Sequence, residues 1–525
     1  MTQPTDAKRD RRLSILLAAA MFVLVVDTSL MNVSISAVVK DLDTTVSGVQ
    51  SAIALEALVS ASFILIGSKI GDLIGRKRAY VIGLLAYALG AAAMALAQSL
   101  TAVIVFWAII GGLGASLLLP AMQALVHGNF EGKAQTKAYA LVGAAAAIAA
   151  AVGPLFGGFV TTFLSWRVGF LFEDAVIIGV LLGIGLVKDA PFTGDRRIDI
   201  VGALLSIFGM GGIVVGILVW QEGGEAVGAL MAVGAVALAG LAWWLVRRKR
   251  ASKPALLDAD LFRLPMFRLG FSGQMLQNIA LGGMMIALPV FLQMVLEYNA
   301  LETGLTIAPL SLSMFAVALL AGKRVGKRRP SRVIQIGFGA TTVGILILLP
   351  LVPRVGSGWA LALPLMLTGS GFGLLVSQLN NYTLSPISEE RVSEAAGVNS
   401  AAGSFGLSFG LAAAGAVMLA TLSIVFTDKA QSSPVLAPAQ QEQVAQALDD
   451  DAEVMSNTQL EKQLAGQPAA VQQEILRINE DTRPLALQVA LLVPLLAGVF
   501  GSFAALRMTR QPDPTPNAAA EAAFA

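Results

Sequence analysis

AAAVGPLFGG, residues 149–158, lies inside an apolar run over 137–162. Pro154 removes one backbone donor and bends a helix, and glycines one turn on let a neighbouring helix approach closely. The string also fits ordinary small-residue packing in a Gly/Ala-rich helix. Either way the run is long enough to span a hydrocarbon core of about 30 Å, which takes about 20 mostly apolar residues.

Working outward, the whole chain has this character. Of 525 residues 56% are hydrophobic and only 13% charged, and the mean hydropathy is +0.74, far from a soluble globular composition. Fourteen apolar runs bounded by charges, Gly or Pro can be drawn. The first seven cover about 13–37, 49–70, 79–98, 102–126, 137–162, 168–188 and 200–220. The rest cover about 226–246, 268–295, 303–322, 332–352, 358–384, 396–426 and 485–507. This predicts an all-α membrane protein with fourteen spanning helices.

Placing the N-terminus in the cytoplasm puts the basic clusters Lys8–Arg12, Arg76–Arg78, Arg196–Arg197, Arg247–Arg250 and Lys323–Arg332 all inside, as the positive-inside rule requires. An even number of spans then leaves both termini cytoplasmic, in a multi-pass protein of the plasma (inner) membrane. The net charge of +2 reflects this topology rather than nucleic-acid binding. The first run is too long for a signal-peptide core and no small-residue cleavage site follows it, so it is expected to remain as an anchor. The absence of cysteine removes disulfide and thiolate chemistry.

Two loops look like copies: SKIGDLIGRKR, 68–78, after the second run, and AGKRVGKRRPSR, 321–332, after the tenth. They suggest an internal duplication. Residues 1–190 then form one six-helix bundle and 191–250 an inserted pair, while 251–427 with 485–510 form the second bundle. Repeats of this kind build a midplane site between two rocking bundles. The segment 428–484 falls outside and carries an acidic run, Asp449–Asp451. It reads as partly helical in PAQQEQVAQAL, 438–448, and QPAAVQQEILRINE, 467–480; it is either a solvated connector or a cap over an outer cavity. Residues 511–525 read as a disordered cytoplasmic tail.

With these motifs the sequence resembles the major facilitator superfamily, specifically its fourteen-helix branch of drug:proton antiporters. AAAVGPLFGG is similar to the antiporter motif through Gly153, Pro154, Gly157 and Gly158. SKIGDLIGRKR resembles the loop signature through Asp72, Gly75, Arg76 and Lys77, followed by Arg78, with Ser68 and Leu73 departing from it. The resemblance implies a cytoplasmic latch, in which Asp72 meets a helix N-terminus or a base of the other half; a plain basic loop leaves Asp72 and Gly75 unexplained. VVDTSLMNV, 25–33, is similar to the signature of the first helix through Asp27, Thr28 and Asn32. SWRVGF at 165–170, DIVGALLS at 199–206 and LPVFLQMVLEYNALETGL at 288–305 resemble further branch elements. The fold implied is two six-helix bundles plus two inserted helices.

Here the likeness meets the chemistry. An ionised carboxylate at mid-bilayer is costly, so such groups face wet cavities and bind protons or cations. Asp27 is the candidate for proton and cation coupling. The arginine that the family carries in helix 4 is replaced by Ala108. At 1.5 Å per residue, Asp27 lies about 15 Å below the outer end of helix 1 and Glu56 about 10 Å below the start of helix 2. The two can share a cavity and form a titratable pair without an arginine; the alternative leaves Glu56 in interfacial water. Glu173, a possible secondary acid, reads as interfacial at the outer end of helix 6.

The second half offers amides. Gln274, Gln277 and Asn278 share a face of helix 9, and Gln378, Asn380 and Asn381 crowd the inner part of helix 12; with Asn32 they are candidates to line a substrate cavity or to glue helices together. His127, the one histidine, reads as interfacial rather than as a proton relay. No metal-ligand cluster, nucleophile triad or GxxxxGK[ST] sequence occurs, so neither enzymatic chemistry nor ATP is expected. The resemblance implies proton-coupled export of an amphipathic or cationic small molecule by a membrane-embedded monomer, with no cofactor. An exporter or facilitator of a specific metabolite or lipid, and a non-transporting receptor or scaffold, stay open as alternatives.

Overall fold

Among the described residues, fourteen helices in the computed structural model are long and apolar enough to cross a membrane. They are α1 (Lys8–Leu42), α2 (Val46–Ile74), α3 (Arg76–Leu96), α4 (Leu100–Asn129), α5 (Lys137–Phe163), α6 (Trp166–Leu186), α7 (Ile200–Gln221) and α8 (Val227–Arg250). The remainder are α9 (Pro265–Val295), α10 (Ala300–Gly322), α11 (Pro330–Leu351), α12 (Gly358–Leu384), α13 (Glu394–Gln431) and α14 (Ala469–Met508). The structure describes residues 4–130, 132–189, 199–221, 224, 226–251, 253, 255–322, 329–387, 391–442 and 456–512. Arg196–Arg197, most of the 321–332 loop, the Asp449–Asp451 run and the tail beyond 512 lie outside them.

Local chemistry sets several helix starts. Thr45 Oγ1 accepts the N–H of Gly48 at 2.9 Å to begin α2, and Ser99 and Ser165 cap α4 and α6 in the same way, satisfying donors that a helix start leaves open. Asp43, with φ of 48°, makes the tight turn from α1 to α2, a conformation that Asp tolerates better than most residues. Short turns make consecutive helices antiparallel. Odd-numbered helices therefore finish at one end of the bundle, termed here the far end.

Packing repeats through the chain. α1 lies along α5 and α9 along α13; α2 meets α4 and α10 meets α12; α6 lies on α1 and α3, and α14 on α9 and α11. Each pairing recurs eight helices later. The halves meet through α2 against α13 and α5 against α10, contacts that the same repeat relates. α7 and α8 pack on each other, and α7 sits over the seam between α2 and α13, where Gln221 Nε2 donates to Gln50 Oε1 at 3.0 Å. Large apolar side chains stay exposed on outward faces, such as Leu85, Leu182, Val236 and Phe500; these are surfaces suited to lipid.

Beyond α13, residues 438–442 of the first stretch expected to be helical are helical, and its remainder lies outside the described residues. The second stretch is continuous with α14, which runs from Ala469 to Ala490 and on from Leu492 to Met508. The last helix thus begins well before the apolar run at 485, because the preceding residues are strong helix formers.

Candidate functional site

Asp27 is buried in α1, and two neutral donors hold it. Tyr87 of α3 donates its hydroxyl to Oδ2. Trp107 of α4 donates its indole N–H to both oxygens, at 3.1 and 2.9 Å. A local change of winding in α4 brings the tryptophan to this spot. Val103–Gly111 forms a π-helical stretch, a wider winding that occurs mostly at functional sites. Ala108 is fully buried beside Trp107.

Two further acids lie on helices that pack around Trp107. Glu56 of α2 is half-buried and lies against the helix that carries Trp107, since a Cβ on Gly112 of α4 would stand 3.0 Å from the Glu56 carbonyl oxygen. Phe170 of α6 sets its ring edge-on to Trp107, with centroids 6.4 Å apart. Glu173 follows one helical turn later, so it shares that face. It is 0% exposed, and neither carboxyl oxygen has a hydrogen-bond partner among the described residues. The interfacial reading of Glu173 is therefore corrected. Its position near the end of an apolar run suggested water, but packing of α6 on α1 and α3 turns it inward.

The glycines of 149–158 fit close helix contacts. A Cβ on Gly153 would meet Ser29 Cβ at 2.5 Å, and one on Gly157 would meet Leu30 Cα at 2.8 Å, so both bring α5 against the Asp27 stretch of α1. A Cβ on Gly158 would meet the carbonyl of Ala300 at 2.5 Å, across the seam in α10. Pro154 lies inside a helix that continues to Phe163, and its carbonyl closes on Gly304 of α10.

At the near end Asp72 forms an ion pair with Arg76, one turn on in the same loop. This base belongs to its own half, where the resemblance implied a helix N-terminus or a base of the other half. The carboxylate at the start of α3 belongs instead to Asp189, whose Oδ1 accepts the Lys77 N–H at 3.0 Å while Lys77 Nζ donates to the Val187 carbonyl at 2.8 Å. Gly75 has φ of 101°, and a Cβ there would stand 2.6 Å from Asp189 Oδ2. Arg78 is exposed.

The amides divide by environment. Asn32 is buried, its Nδ2 donating to the Thr28 carbonyl at 2.8 Å while its Oδ1 has no hydrogen-bond partner among the described residues. Gln277 is buried with its Oε1 in the same condition, and Gln378 is buried on α12. Gln274 and Asn278 face Gly403 of α13. Asn380 is exposed and its Oδ1 accepts from Asn399 of α13 at 3.1 Å, while Asn381 is half-buried. His127 is exposed, with Nδ1 3.0 Å from Gln135 Nε2. Among the described residues, no group of three or more His, Cys, Asp or Glu is arranged to hold a metal ion.

Tyr87, Trp107 and Asp189 are not among the residues that the sequence singles out. A polar tip on a large ring inside an apolar run was the available signal for the two aromatics.

The family model described as Major Facilitator Superfamily matches residues 17–411. The chain is 29% identical over 437 residues to "Multidrug resistance protein Stp" of Mycobacterium tuberculosis (strain CDC 1551 / Oshkosh), covering 82% of this chain and 80% of that one. It is 29% identical over 410 residues to "Puromycin resistance protein pur8" of Streptomyces alboniger, covering 76% and 80%. Among solved structures it superposes on a bacterial homolog of the human lysosomal transporter Spinster with a TM-score of 0.62 and 12% identity, covering 98% of this chain and 100% of that one; this likeness speaks to the fold.

Proposed function

The chain belongs to the Major Facilitator Superfamily, a family of transporters and not of enzymes, and from that membership we propose proton-coupled export of amphipathic cations by alternating access. In this reading the near end, with its basic clusters and both termini, faces the cytoplasm, and the protein works as a monomer in the plasma membrane.

One observation carries the proposal. Asp27 is buried in a spanning helix and held by a hydroxyl and an indole, both neutral. Such donors stabilise a carboxylate without cancelling its charge. A bare charge at this depth costs about 2.5–3.5 kcal/mol on insertion scales, so the site favours a proton or a bound cation. The two compete for one group, which is the chemistry of exchange. Glu56 is the coupled partner of Asp27, and Glu173 a further acid of the same cluster. Asp72 with Gly75, Arg76, Lys77 and Arg78 forms the near-end latch. Asn32, Gln277 and Gln378 contact the polar portion of the substrate, and Gln274, Asn278, Asn380 and Asn381 flank them.

The test uses proteoliposomes loaded with a fluorescent lipophilic cation. An imposed pH gradient is expected to drive transport of the cation against its own gradient; transport indifferent to the pH gradient would overturn the proton-coupled reading. The amide oxygens of Asn32 and Gln277, without a hydrogen-bond partner among the described residues, favour a second reading, export of a polar neutral metabolite, which that outcome would support.

A further inference from the structure

α9 finishes in a π-helical turn, Phe291–Val295, and this turn aims Gln293 at α1 of the other half. The side chain is buried. Its Oε1 accepts the backbone N–H of Ser36 at 2.8 Å, and its Nε2 donates to the backbone carbonyl of Asn32 at 3.3 Å. Residues 32 and 36 are separated by four, so these are the two groups that a single rung of the α1 ladder joins. α1 remains helical through both residues. A side chain placed in the ladder is also one of the few causes of helix bending.

Other hydrogen bonds across the halves lie towards the same far end. Ser408 Oγ donates to the Ala54 carbonyl at 2.6 Å, and the Leu301 N–H donates to Thr162 Oγ1 at 3.0 Å. Those two fasten neighbouring helices. Gln293 differs because it holds the backbone of the helix that carries Asp27, one turn or so away: Asn32 reaches back to the Thr28 carbonyl, next to Asp27.

We infer that Gln293 is the positioning residue by which the second half holds α1, and with it Asp27, while the far end is closed. This rests on the alternating-access reading above. When the far end opens, Gln293 withdraws and the Ser36 N–H and Asn32 carbonyl keep each other as partners in the helix. Buried backbone groups are therefore satisfied in both states, which is what a two-state contact between rigid bodies requires. An apolar side chain at 293 cannot bond to either group, so it releases the far end.

The chain has no cysteine, so an introduced pair reports cleanly. In the full-length protein in membranes, Thr162→Cys with Leu301→Cys is treated with a short thiol cross-linker, with Gln293 intact or as Gln293→Met. Intact Gln293 is expected to give a high yield and Gln293→Met a yield several-fold lower. Gln293→Glu keeps an acceptor for the Ser36 N–H but loses the donor to Asn32, and is expected to fall between them. A second readout separates positioning from mere adhesion: lipophilic-cation transport in Gln293→Met should show a changed kcat with its KM altered differently. If Gln293→Met fails to fold, as judged by gel filtration, Gln293→Glu decides. A yield unchanged by the substitution overturns the inference. Cross-linking needs neither substrate nor pH gradient, so its failure is distinct from failure of the export reading.

Discussion

Trp107 gives its single indole N–H to both oxygens of Asp27, at 3.1 and 2.9 Å. A hydrogen bond to a charged group contributes about 1.5–3 kcal/mol. In Trp107→Phe that donor is lost and the ionised form of Asp27 becomes costlier. A cationic substrate binds the ionised form, so its affinity should fall about tenfold or more, measured by fluorescence titration at fixed pH. Unchanged affinity would mean that Trp107 only fills space.

Two glycines of 149–158 should fail in different ways. Gly157→Ala drives a methyl against the Leu30 backbone within one half, an overpacking worth about 1–3 kcal/mol, and should lower the thermal unfolding midpoint in detergent. Gly158→Ala meets the Ala300 carbonyl across the seam. Its main effect should be a lower yield of the Thr162/Leu301 cross-link, with a smaller change in the unfolding midpoint. Equal effects of both on both readouts would contradict the division.

Asp258 lies outside the spans, in the connection from α8 to α9. Burial opposes its ionisation, but the Asp260 N–H at 2.9 Å, Lys249 at 3.1 Å and Arg391 at 2.8 Å outweigh it and hold the carboxyl below the usual range. A carboxyl depressed in the folded state contributes stability that is fully present above its unfolded pKa, about 3.9 for Asp. That contribution is lost as pH falls through the lower folded value. Asp258→Asn should therefore unfold at a lower temperature than the parent at pH 7, and the gap should narrow as pH falls below about 4. A gap independent of pH would assign the effect to packing.

Much of this was legible in the chain. The fourteen spans could be read because hydrocarbon leaves few alternatives for a backbone, and Asp27 because a lone acid in an apolar run is expensive. Partners were harder. Trp107 reaches Asp27 only because the π-helical stretch Val103–Gly111 aims it there, and Gln293 reaches α1 from a second such turn; neither shift in winding has a residue pattern of its own. Glu173 misled because depth along a helix does not say which face packs. Asp189 lay hidden because the carboxylate that meets a helix start can come from a distant part of the chain.

The central claim is that one buried carboxyl, Asp27, exchanges a proton for a cationic substrate. It is tested most directly by adding a lipophilic cation to purified protein in weakly buffered detergent solution and recording the protons released. If Asp27 carries the exchange, the parent protein releases protons in proportion to cation bound, and Asp27→Asn, still folded by gel filtration, releases none. No release from the parent, or equal release from Asp27→Asn, would contradict it.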